Sequence, residues 1–123
     1  MSLDRYPPPI NAATRRQLAS YCRNKNLRTA TFTRENPKDW QVGNVIDPDT
    51  GCGFTEPKAW SFIADLLDGE HPVQVITLDK PPGKLGYVLK KVMPNGESLY
   101  IKLQLSDKVH GRSFHYSYHE RQS

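Results

Sequence analysis

The chain has 123 residues, of which 37% are apolar and 24% charged, with ten prolines and a formal net charge of +4. That is the length of one domain with a modest core, and it is too periodic for wholesale disorder. The longest apolar run, Phe62-Ile63-Ala64-Asp65-Leu66-Leu67, is interrupted by a charge and falls far short of a membrane span, and the two cysteines, Cys22 and Cys52, are too few for a disulfide framework or a four-thiolate zinc site.

Residues 1–10 open without a signal-peptide pattern and hold Pro7-Pro8-Pro9, an extended lead-in. With reduced thiols, this places the protein in a cytoplasm. Asn11 caps a helix expected to run to about Lys25, with Leu18, Tyr21 and Cys22 on one face and Thr14 extending it. Leu27 to Thr33, rich in Thr, predicts a short strand. Residues 34–54 read as an irregular loop region ending in the turn chemistry of Asp47-Pro48-Asp49-Thr50-Gly51. A second helix follows. Thr55 is its N-cap, Pro57 is tolerated in the first turn, and Gly69 ends it. Ala59, Phe62, Ile63, Leu66 and Leu67 form its apolar stripe.

Beyond Gly69 the period becomes two. Strands are predicted at about 72–79, 84–93, 98–106 and 111–119, with a hairpin at Pro94-Asn95-Gly96. Short links between consecutive strands imply an antiparallel meander. The fold class is therefore α+β, a single domain over 1–123, with two helices packed on one face of a four- or five-stranded antiparallel sheet.

Strand alternation separates core from site. Leu99, Ile101, Leu103 and Leu105 alternate with Tyr100, Lys102 and Gln104, so the aliphatic set is buried and the polar set shares the opposite face. If Phe114 packs inward, Tyr116 follows it and His115 joins the polar face. Tyr87 and Leu89 lie on one side of their strand and Lys90 on the other. A face carrying Lys90, Tyr100, Lys102, Gln104 and His115, uncovered by helices, suits gripping phosphates and stacking bases. Arg112 adds a further cation, although simple alternation leaves its side open. Trp40 and Trp60 are read as packing residues.

Charge agrees with a polyanion partner. Residues 1–45 carry eight Lys/Arg against three Asp/Glu, residues 46–79 one against seven, and residues 80–123 eight against three, which gives +5, −6 and +5. Metal sites are not expected. His115 and His119, four apart on a strand, stand about 13 Å from each other, and Asp47-x-Asp49 lacks the later ligands of a calcium loop.

Leu99-Tyr100-Ile101-Lys102-Leu103 and Arg112-Ser113-Phe114-His115 resemble the end of MqsR-type toxins, which belong to the RelE-like group of messenger-RNA interferases of bacterial toxin–antitoxin systems. The resemblance spans roughly residues 55–117 and is specific over the last twenty or so. It implies a RelE-like fold and a metal-independent endoribonuclease with no cofactor, acting on single-stranded RNA and held by a cognate antitoxin. It carries two catalytic positions over to Tyr100 and His115, the second usually a lysine in the family. Pro72, Val73, Gln74 and Val75 stand where the family places a further lysine. Lys90, Lys102, Gln104 and Arg112 are then expected to bind the substrate. The alternative is a non-catalytic RNA- or protein-binding module that uses the same face. A third reading is a small regulatory or immunity-type protein acting through its acidic helix.

Overall fold

The computed structural model describes residues 10–30, 39–78 and 82–117. Helix α1 covers Ala12–Cys22, α2 covers Glu56–Asp68, and a single 3-10 turn covers Val42–Asn44. The strands are β1 Arg28–Ala30, β2 Gln74–Thr77, β3 Leu85–Val92, β4 Ser98–Leu105 and β5 Val109–Tyr116. They form one five-stranded sheet in the order β1-β5-β4-β3-β2. Two helices on a five-stranded sheet match the α+β expectation.

The sheet itself is mixed rather than antiparallel. β2 to β5 are the expected antiparallel meander, but β1 lies parallel to β5 at the edge, with Arg28 opposite Val109 and Ala30 opposite Gly111. α2 and the meander intervene between these two strands, so the direction of β1 is set by where α1 returns the chain and not by a local turn.

Both helices start as their caps dictate. The Asn11 side chain accepts from the Thr14 N–H at 2.7 Å, and that of Thr55 accepts from the Lys58 N–H at 3.4 Å. α1 stops at Cys22, about three residues before the expected end, because the backbone turns through Arg23 and Asn24 to deliver β1. The buried side of α2 is rotated from the predicted stripe. Ala59, Trp60, Ile63, Ala64 and Leu67 are buried, whereas Phe62 and Leu66 are half-buried at its margin. Trp60 causes the rotation, since its ring must reach the sheet where Trp40 and Phe114 lie.

Residues 39–54 are irregular but not loose. Trp40 bridges to Phe114, Ile46 bridges to Gly53, and Trp40, Val45 and Phe54 enter the core. Residues 34–38 of that expected loop lie outside the described residues. The two indole N–H groups of Trp40 and Trp60 donate to the two carboxylate oxygens of Glu56, each at 3.1 Å. The first turn of α2 thereby satisfies both buried donors. The core continues through Leu18 and Cys22 of α1 onto Leu89, Leu99, Ile101, Leu103, Val109 and Phe114. Among the described residues, no helix is long and apolar enough to cross a membrane.

The hairpin at Pro94-Asn95-Gly96 forms as expected, with Gly96 at φ 86° and its N–H donating to the Met93 carbonyl. The last hairpin is tighter than predicted. Ser106 N–H donates to the Lys108 carbonyl and β5 begins at Val109, two residues early. Residues 31–33, 79 and 118–119 of the predicted strands lie outside the described residues.

Candidate functional site

The helices cover one face of the sheet, and the other collects the polar residues singled out from the sequence. Lys90, Tyr100 and His115 stand in one row across β3, β4 and β5. Val88, Lys102 and Ser113 form the next row, and Gly86, Gln104 and His110 the third. Residues paired across neighbouring strands project to the same side, about 5 Å apart.

Tyr100 and His115 are in contact. Their rings stack with centroids 5.5 Å apart and planes at 25°. His115 donates from Nδ1 to the Tyr116 carbonyl at 2.8 Å, since a carbonyl can only accept. That bond assigns a proton to Nδ1. The Tyr100 hydroxyl is held above its ordinary pKa, first by burial and then by the Asp39 carboxylate, so it is a phenol and a donor at neutral pH.

Arg112 joins this face, against the doubt left by simple alternation. A β-bulge opposite Lys102 and Leu103 inserts Arg112 between Gly111 and Ser113 as the extra residue of β5. Its Nη1–H donates to Gln104 Oε1 at 2.8 Å, which fastens the two expected phosphate ligands to each other. Lys90 is exposed, and its own carbonyl accepts from His71 Nε2 at 2.6 Å. All six residues named from the sequence therefore share one face, with Tyr100 and His115 touching, Gln104 and Arg112 bonded, and Lys90 and Lys102 beside them. Towards the β2 edge the same face turns apolar, where Val88 and Leu78 are buried and Leu78 folds over Gly86. His119 lies outside the described residues.

One polar residue of this face escaped the sequence reading. The Phe114 N–H donates to the Asp39 carbonyl at 2.7 Å, and the Gln41 N–H donates to the Phe114 carbonyl at 3.0 Å. This makes Trp40 the parallel partner of Phe114. Trp40 turns its ring to the core against Phe114, and the residue before it, Asp39, lies beside Ser113 with its charge acting on Tyr100. The only local signal was a large aromatic flanked by two polar residues. Pairing with β5 is a tertiary event.

Elsewhere, a shallow cleft of about 290 Å³ lies on α2 against Asp47, Phe54, Lys58 and Phe62. Its lysine is paired with Asp49 at 3.2 Å and lies 3.9 Å from the buried Asp47, so it offers no cation to a phosphate. Among the described residues, no three His, Cys, Asp or Glu side chains converge as a metal site. No protein-family model matches the chain, and neither a curated protein nor a solved structure does.

Proposed function

We propose that the chain is a metal-independent endoribonuclease of single-stranded RNA, with a RelE-like fold, serving as the toxin of a bacterial toxin–antitoxin pair in the cytoplasm. The observation that carries this reading is the Tyr100–His115 stack, flanked by lysines, on a sheet face that no helix among the described residues covers. An RNA strand laid along this face meets an aromatic platform for a base and cations for its phosphates.

The chemistry needs only side chains. The 2′-hydroxyl attacks the adjacent phosphorus, the P–O5′ bond breaks, and a proton must leave the nucleophile while another reaches the 5′-oxygen. The His115 imidazole has the chemistry to take up or give a proton. Tyr100, kept protonated, donates a hydrogen bond to a non-bridging phosphate oxygen. Lys90, Lys102 and the Arg112–Gln104 pair offset the charge that builds on the phosphorane.

The test is incubation of purified protein with single-stranded RNA in EDTA. Fragments ending in 2′,3′-cyclic phosphate are expected, while DNA of the same sequence survives for want of the nucleophile. His115→Ala should slow cleavage about 10²–10⁴-fold, and Tyr100→Phe should slow it with the fold intact. RNA binding without cleavage would overturn the enzyme and leave a binding module on the same face. Growth arrest on expression, relieved by the product of the adjacent reading frame, tests the toxin and antitoxin assignment.

A further inference from the structure

Transesterification moves two protons, and the row of His115 offers one obvious group for them. Lys90, Lys102 and Arg112 are cations and donate only. Tyr100 holds its proton. His110 lies in the third row, beside the β4–β5 turn, where its Nε2 is 3.1 Å from Ser106 Oγ. Among the described residues, the carboxylate nearest this row is that of Asp39. The Asp39 carbonyl accepts from the Phe114 N–H, and the Trp40–Phe114 bridge sets Asp39 beside Ser113 on β5. There it lies one strand from His115 and close enough to act on Tyr100. Among the described residues this carboxylate has no hydrogen bond or ion pair.

A carboxylate is out of place on a surface that merely grips phosphates, because it repels them. It is in place as a proton acceptor. We propose that Asp39 is the general base of the cleavage reaction and His115 its general acid, an inference that rests on the endoribonuclease reading above. In the forward step the Asp39 carboxylate takes the 2′-hydroxyl proton as the 2′-oxygen bonds to phosphorus. The P–O5′ bond then breaks and the 5′-oxygen takes a proton from His115 Nε2. The products are a 2′,3′-cyclic phosphate and a 5′-hydroxyl, with Asp39 protonated and His115 neutral until solvent resets both.

Two substrates separate the roles. On natural RNA, Asp39→Asn should lower kcat about 10²–10⁴-fold while RNA binding is unchanged or tighter, since a negative charge has been removed. Asp39→Glu, which keeps the carboxylate, should retain more of the rate. The second substrate is the same RNA with sulfur in place of the scissile 5′-oxygen, whose thiolate leaves without a proton. It should restore His115→Ala towards the wild-type rate and leave Asp39→Asn slow. Wild-type rates for Asp39→Asn on natural RNA, with wild type active, would overturn the Asp39 assignment and leave the nuclease reading standing. Rescue of Asp39→Asn instead of His115→Ala would show the roles reversed. A wild-type protein that cuts no RNA would overturn both. Coincident thermal unfolding of the variants would set aside a purely structural role for Asp39.

Discussion

Gly111 and Trp40 show how closely one side chain is fitted. A Cβ on Gly111 would run into the six-membered ring of Trp40, which lies across the glycine on its way to Trp60 and Phe114. Gly111→Ala should therefore cost about 1–3 kcal/mol by overpacking, read in urea unfolding with a changed tryptophan emission. Cys22 shows the same packing through its chemistry. It is fully buried, and burial pushes its thiol up to about 12 from an ordinary value of 9.0. Between those values the unfolded chain releases a proton that the native state keeps, so stability falls as pH rises from about 9, by on the order of 1 kcal/mol per pH unit. Urea midpoints between pH 8 and 11 check this. Cys22→Ala should flatten the decline, leaving the smaller contributions, of the same sign, from the buried Tyr87 and the half-buried Tyr100.

The helix α2 carries the packing argument one level up. Its stripe recurs at the expected interval, but the axis of burial runs through Trp60, Ile63 and Leu67. Ile63→Ala and Leu67→Ala should each cost about 2–5 kcal/mol, by lost burial plus a cavity. Leu66→Ala should cost clearly less, because a half-buried side chain leaves an opening that water fills. Thermal unfolding of the three variants ranks them, and equal losses would put the helix back on the periodic stripe. At the start of the same helix, Thr55→Ala should cost about 1 kcal/mol through the lost cap. Glu56 contributes differently from a first-turn acid, since its carboxylate ties Trp40 of the preceding loop to Trp60 of the helix. Glu56→Ala leaves two indole donors without their acceptor and should cost more than Thr55→Ala.

Across the whole molecule, charge and architecture are sorted together. α2 and its approach carry the acidic stretch, and the sheet face opposite the helices carries Lys90, Lys102 and Arg112. If that face binds single-stranded RNA, log affinity should fall linearly with log salt by roughly 0.7 per phosphate contact. Lys102→Ala should then reduce the slope by about that amount, as fluorescence anisotropy across a salt series would show. Affinity that ignores salt would remove RNA as the ligand of this face. The acidic segment should contribute nothing to the slope, since Lys58, its one cation, is held by Asp47 and Asp49.

Local chemistry was enough to determine the two helix starts, the change of period after Gly69, the Asn95-Gly96 hairpin, and which residues of β4 face inward. Each rests on interactions within a few positions: a side chain capping its own helix, a glycine admitting a positive φ, an alternation forced by the pleat. Tyr100, Lys102 and Gln104 could be placed on one face for that reason, and His115 followed once Phe114 was turned inward. The tertiary structure decided what depends on partners distant in sequence. β1 is parallel because α1 returns the chain to the edge of β5, and no turn records that direction. Arg112 reaches Gln104 only through a bulge, whose extra residue breaks the alternation that sequence reasoning must assume. The burial axis of α2 follows Trp60 to Trp40, which in turn packs on Phe114. Asp39 reaches the Tyr100 side of the sheet because Trp40 pairs with Phe114, 74 positions further along the chain. Periodicity describes one segment at a time, whereas a site assembled across strands is fixed by register, and register is settled only when the strands meet.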